Sequence, residues 1–208
     1  MSSSQPLSAK TALGRLPVLK SPRILGNWVL WLEQRPHEKG RTTAMIRPWL
    51  QTDATAKELT AAPANLRCRI HEYGGGAMAV ALMGDNLLLT WIDDGDGCLW
   101  QQTWRGLGSE DCAALTAKQP IRISAPGSWA LGGGLIDQTR LRWLGVMECN
   151  GRDQLVSVAL NQSDQHPKVL HAADDFVGYP ALSADGSQLA WVEWRQPAMP
   201  WDASELRC

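Results

Sequence analysis

Apolar residues along this chain fall into short unbroken runs bounded by Gly, Pro, Asn and Asp, and not into helix-length periodic stretches. Trp28-Val-Leu-Trp-Leu32 is apolar at every position, follows Gly26-Asn27 and ends shortly before Arg35-Pro36. The spacing of Trp28, Trp31 and Leu32 also fits one face of a helix. Five residues between breakers, however, are too few for a stable helix and usual for a strand. Leu87–Ile92, Trp143–Met147 and Leu189–Val192 have the same character. Together these runs predict four strands buried on both faces.

The runs are related to one another. Gly26-Asn-Trp-Val-Leu-Trp-Leu-Glu-Gln-Arg35 lies over Gly186-Ser-Gln-Leu-Ala-Trp-Val-Glu-Trp-Arg195 without a gap, with Gly, Trp, Glu and Arg coinciding. With Trp31, Trp91, Val146 and Trp191 as reference points the spacings are 60, 55 and 45 residues, a repeat of irregular length. A second, more alternating strand follows each of the first three at Thr42–Arg47, Cys98–Trp104 and Gln154–Leu160. Polar-apolar stretches at Lys57–Leu59, Pro120–Ser124 and Lys168–Leu170 fit outer strands. A repeat of about 40–50 residues with three or four short strands is the signature of a β-propeller, whose stacked blades bury both faces of their inner strands. The expected fold is all-β, a partial propeller of about three and a half four-stranded blades. Its blades fall at 21–60, 70–124 and 129–171, with the first half of a fourth from Phe176 onward. Residues 1–20 read as an N-terminal extension and 21–208 as an incomplete propeller domain.

Composition narrows the function. With 208 residues, 20 Lys and Arg against 21 Asp and Glu, and a net charge of −1, nothing supports a nucleic-acid groove or an anionic-membrane patch. The longest apolar runs fall far short of the roughly 18 residues that span a bilayer. Met1-Ser-Ser-Ser-Gln-Pro6 carries no secretory pattern, so the expectation is cytoplasmic. Five scattered cysteines without a C-x-x-C pair argue against a disulfide framework and against zinc. No cofactor and no metal is expected. Eleven of the 14 aromatic residues are Trp, which raises the idea of stacking platforms. Most lie inside apolar runs, so core packing is the expected use, with Trp49 and Trp201 as the two exposed ones.

Three segments resemble a known family: Arg69-Ile-His-Glu-Tyr-Gly-Gly-Gly76, the turn Ser183-Ala-Asp-Gly186 before Leu189-Ala-Trp191, and Trp194-Arg-Gln-Pro-Ala-Met-Pro-Trp-Asp202. They are similar to the N-terminal propeller of the prolyl oligopeptidase family, nearest the dipeptidyl aminopeptidase and acylaminoacyl-peptidase branch. The resemblance covers the chain from about Ser21. It implies a seven-bladed propeller that restricts access of short peptides to an α/β-hydrolase domain with a Ser, Asp, His triad. This sequence holds no G-x-S-x-G nucleophile elbow; Pro126-Gly-Ser-Trp-Ala130 lacks the glycine spacing. No catalytic residue carries over, the hydrolase domain is absent from these residues, and the chain is expected to be inactive alone. Arg23-Ile-Leu-Gly26 replaces the family's Ser-x-Asp-Gly turn, which predicts a distorted first blade.

The expected function is therefore a substrate-gating, non-catalytic part of a serine peptidase, partnered by short peptides or by a hydrolase domain. The alternative is an interaction module that completes its ring as a homodimer or on a partner. Arg69, His71, Glu72 and Tyr73 are the gating candidates, since a carboxylate at a propeller mouth can hold a peptide's amino terminus. The competing structural reading is a tight turn whose histidine is already satisfied. Asp93-Asp-Gly-Asp-Gly97 lacks the calcium-loop layout and reads as a hairpin turn. Gly132-Gly-Gly134 has no following Lys-Ser/Thr and reads as a turn. Ser109–Leu115, with Ser109 as cap, fits a short helix.

Overall fold

The computed structural model describes residues 16–51 and 53–208; the first fifteen residues of the expected extension lie outside them. Four antiparallel sheets follow one another along the chain. The first runs β1 (Val18–Leu25), β2 (Trp28–Arg35), β3 (Arg41–Pro48) and β4 (Lys57–Glu58). The second runs β5 (Met78–Met83), β6 (Asn86–Ile92), β7 (Leu99–Arg105) and β8 (Thr116–Ala117), with β9 (Ile121–Arg122) also paired to β7. The third holds β10 (Ala130–Asp137), β11 (Arg142–Cys149), β12 (Arg152–Ala159) and β13 (Lys168–Ala172), and the fourth β14 (Phe176–Leu182), β15 (Leu189–Trp194) and β16 (Glu205–Arg207). Each sheet is a meander in chain order, and β5 lies against β10 and β10 against β14. These are four blades of a β-propeller.

Side chains alternate across a strand, and β6 shows what that alternation does here. Leu87, Leu89 and Trp91 enter a core shared with Trp28, Leu30 and Leu32 of the first sheet, while Leu88 and Ile92 enter a second core with Leu131, Trp143 and Leu155 of the third. A blade packed between two others has no solvent face. That is why β6 and β11 read as continuous apolar runs with no alternation to polar; the expectation of two buried faces is corrected for β2, where Val29 and Trp31 are only half-buried, and for β15, half-buried throughout, because no other described blade covers the outer side of the first sheet or of the fourth. Four of the tryptophans, Trp28, Trp91, Trp104 and Trp143, are buried in these two cores. Trp49 and Trp201 are exposed as expected, at 45% and 76%.

Several local expectations are corrected. Gly132-Gly-Gly134 is not a turn but the middle of β10, where the register to β11 shifts between Gly132 and Leu135 around the left-handed Gly133. The first blade is not singled out by distortion: β1 shifts register between Lys20 and Arg23, and β14 does the same between Gly178 and Ala181. The replaced turn is a two-residue Gly26-Asn27 hairpin, with Leu25 paired to Trp28. Ser109–Leu115 is not one helix; two single 3-10 turns, Leu107–Ser109 and Cys112–Ala114, replace it, and Asp111, not Ser109, caps the second by accepting from Ala113 N–H. The fourth sheet has a third strand, β16, that the sequence did not signal, because all three of its residues are exposed; it is held to β15 by its backbone and by Arg207, 3.7 Å from Glu193.

The Trp143 ring is 2% exposed and lies across two glycines. A Cβ at Gly134 or Gly145 would fall 2.1 Å from ring atoms, so the ring must shift or the strands must part. Gly145→Ala is expected to lower stability by about 1–3 kcal/mol, the usual range for overpacking, read as a lowered urea midpoint in tryptophan fluorescence. An unchanged midpoint would show that the ring moves freely.

Candidate functional site

The segment from Leu66 to Ala77 joins the first sheet to β5 and carries all four gating candidates. Its first half is bound to the neighbouring hairpin: Leu66 bridges Asp93, and Arg67 N–H donates to the Ile92 carbonyl at 3.0 Å. It then winds tightly, with Glu72 N–H donating to Arg69 O at 2.9 Å and Gly74 N–H to Ile70 O at 2.9 Å. His71 and Glu72 take left-handed backbone angles, φ 50° and 67°, which β-carbon-bearing residues adopt only when surroundings hold them there.

Glycine explains the close approach that follows. Gly133 N–H lies 3.2 Å from the carbonyls of both Gly75 and Gly76, and a Cβ on Gly76 would meet Gly133 Cα at 2.6 Å. On the other strand a Cβ on Gly132 would meet Cys68 Sγ at 2.4 Å. The two glycine triplets, 74–76 and 132–134, thus meet backbone to backbone and lock the loop onto the bulge of β10.

The four candidates do not form one cluster. Arg69 turns to the β6–β7 hairpin, its Nη2 2.7 Å from Asp94 Oδ1, beside a cleft of about 330 Å³. His71 turns the other way: its Nε2 lies 2.9 and 3.1 Å from the two carboxylate oxygens of Asp153 on β12, and its backbone N–H donates to Glu148 Oε2 on β11. Its ring also meets Phe176 of β14 edge-on at 5.5 Å. Glu72 and Tyr73 are exposed at the tip, Tyr73 at 83%, and no described residue pairs with the Glu72 carboxylate.

Asp153, which sequence reasoning missed, is the hub. Its side chain is 1% exposed, and burial pushes its carboxyl above the usual range against the hydrogen bonds from His71 and from Val177 N–H at 3.1 Å. Its main chain binds both Asp175 O and Ala173 N–H. The available signal was an acid at the inward position of β12 two residues before Leu155. No hydroxyl or thiol shares the His71 pair among the described residues. Burial also pushes the Cys68, Cys98 and Cys112 thiols up, away from nucleophilic character. Chemically this is a structural carboxylate–imidazole clasp with an exposed acid beside it. No group of three or more His, Cys, Asp or Glu suited to a metal occurs among the described residues, and none of the helices there is long and apolar enough to cross a membrane.

No protein-family model and no curated protein matches the chain. Solved structures do. A puromycin-hydrolysing peptidase of Mycobacterium tuberculosis superposes with a TM-score of 0.75 at 25% identity, over 92% of this chain and 30% of that one. A puromycin hydrolase superposes with a TM-score of 0.77 at 24% identity, over 98% of this chain and 32% of that one. The resemblance to prolyl oligopeptidase-family propellers holds. This chain spans about a third of the length of those peptidases.

Removing the Asp153 carboxylate strands two donors, His71 Nε2–H and Val177 N–H, in a buried place. Asp153→Ala is expected to cost about 3 kcal/mol in urea denaturation, in line with a broken buried pair. Asp153→Asn, which keeps an acceptor oxygen, is expected to cost clearly less. Equal losses in the two variants would mean that packing, and not the hydrogen bonds, holds the clasp.

Proposed function

We propose that this chain is the non-catalytic propeller portion of a prolyl oligopeptidase-family serine peptidase, one that hydrolyses short peptides and small amides such as puromycin. The observation that carries the reading is the superposition of 92–98% of the chain on puromycin-hydrolysing peptidases. The missing G-x-S-x-G elbow, and a His71–Asp153 pair beside which no described residue places a hydroxyl or thiol, support a gating rather than a chemical role. In this reading the propeller begins at Val18, where β1 starts three residues before the expected boundary at 21, and runs to residue 208, and the nucleophile belongs to a hydrolase domain elsewhere in the whole protein. Glu72 is the gate's anion for a peptide amino terminus, with Tyr73 beside it and Arg69 at the adjoining cleft. The dipeptidyl aminopeptidase and acylaminoacyl-peptidase branch is the finer assignment. Five free thiols support a reducing, cytoplasmic setting.

A second reading, a module that completes its ring as a homodimer, is favoured by the open side of the first sheet. Leu19 and Ile24 on β1 are 64% and 62% exposed, and the Trp31 indole nitrogen is buried without a partner among the described residues. Two measurements separate the readings. A fluorophosphonate probe is expected to leave the purified chain unlabelled, while antibodies to it detect, in source cells, a labelled polypeptide about three times as long. Labelling of the 208-residue chain itself would overturn the non-catalytic assignment. If source cells contain the short chain alone, light scattering decides: a dimer supports the second reading and a monomer removes it.

A further inference from the structure

Between the first and second blades, away from the His71 clasp, lies a cavity of about 690 Å³, within the range of small-molecule sites. One wall is the 59–64 loop of the first blade. It is pinned by Arg41 Nη1, which donates to the carbonyls of Thr60 and Ala64 at 3.1 and 3.2 Å, and by Thr43, whose hydroxyl donates to Thr60 O at 2.7 Å. The opposite wall is one face of the second sheet, where half-buried Trp100 lies beside the buried Trp91 and Trp104. Trp91 and Trp100 are cross-strand neighbours, stacked with centroids 6.3 Å apart and planes 18° apart.

All three indoles are held by their nitrogens. Trp91 N–H donates to Asp93 Oδ2 at 3.3 Å, Trp100 N–H to both Asp96 oxygens at 3.2 Å, and Trp104 N–H to Gln102 Oε1 at 3.2 Å. An N–H bound to an anion pushes electron density into the ring and strengthens the negative face that attracts cations. The site already contains one such contact: Lys57 Nζ lies 5.6 Å from the Trp104 centroid, with its ammonium held by the carbonyls of Cys112 and Leu115. Lys57 does not line the cavity.

Among the described residues the lining includes Glu58, Asp93 and Asp96 but no Lys, Arg or His. Glu58 is compensated by Arg35 at 2.9 Å and Arg41 at 2.6 Å. Asp93 receives only neutral N–H donors, from Asn65, Gly95 and Trp91. Asp96 has Arg122 no nearer than 3.7 Å, and that guanidinium sits 2.7 Å from Asp164. The cavity therefore joins π faces to a negative rim.

From this geometry we infer that the cavity between the first two blades binds a small organic cation with an apolar body, an ammonium group seated against the open face of Trp100 and facing Asp93 and Asp96. The test is titration of the full chain, followed by tryptophan fluorescence, with acetylcholine and with its neutral isostere 3,3-dimethylbutyl acetate. The expected result is saturable quenching by acetylcholine and binding about tenfold weaker for the isostere, a ratio within the reach of a partly desolvated cation–π contact. Trp100→Leu and Asp96→Asn are each expected to weaken acetylcholine about fivefold or more with the thermal midpoint kept. Trp31→Leu, remote from the cavity, leaves it unchanged. Equal binding of the isostere, or unaltered acetylcholine binding in Asp96→Asn, would overturn the cation assignment. Absence of saturable quenching would overturn the site.

Discussion

A strand that must be covered on both faces constrains everything around it. Leu87, Leu89 and Trp91 of β6 serve one inter-blade core while Leu88 and Ile92 serve the other, so neither side of the second sheet can turn polar. Flanking strands must then come close, and close approach across a curved stack leaves little room for side chains. Small residues meet that demand where the blades meet: the Gly132–Gly134 bulge takes the 74–76 loop, and Gly134 and Gly145 take the flat of Trp143. Large indoles and bare backbone are thus two halves of one packing solution, since interiors tolerate neither voids nor overlap.

The same constraint decides what the sequence revealed. Second strands stand out as apolar runs, β6 and β11 because both faces are buried and β2 and β15 although their faces are partly open, and the 160-residue correspondence between β2 and β15 is real in the fold, both being second strands of their sheets. First strands were poorly legible for opposite reasons. In β1 seven of eight residues are exposed, so Val18-Leu-Lys-Ser-Pro-Arg23 lacks contrast. In β10 three consecutive glycines mimic a turn while their real role is to admit a neighbouring backbone. At the candidate site the fold does not keep the four sequence neighbours together. The left-handed turn at His71 and Glu72 sends adjacent residues toward different blades, and nothing in residue order encodes that divergence.

His71 illustrates how such strain is sustained. Its left-handed backbone is unfavourable by itself, yet the turn directs its N–H to Glu148 and its ring to Asp153. Asp153 is in turn an expensive residue to bury, and burial does push its carboxyl up; the His71 and Val177 donors offset part of that cost. Each group is tolerable only because the other is present. The clasp thereby ties the loop, the third sheet and the start of the fourth to one another.

Residues two apart on a strand share a face, and several tryptophans here exploit that by donating N–H to an acceptor at that distance. Trp91 uses Asp93, Trp104 uses Gln102, and Trp191 uses Glu193 at 2.6 Å. The internal repeat places Trp31 and Glu33 in the positions of Trp191 and Glu193, so the same bond is the natural one in the first blade. It is not made. Glu33 is drawn instead to Arg35 Nε at 2.8 Å, within a network that also joins Glu38, Glu58 and Arg41, whereas the equivalent Arg195 is taken by Asp174. The diverted carboxylate leaves the Trp31 nitrogen buried and unpaired among the described residues. A buried donor without an acceptor is costly enough to be rare, and this one lies on the side of the first sheet that no other described blade covers. The orphaned indole is thus the local cost of the Glu33–Arg35 pairing, which sets the first blade apart from the fourth.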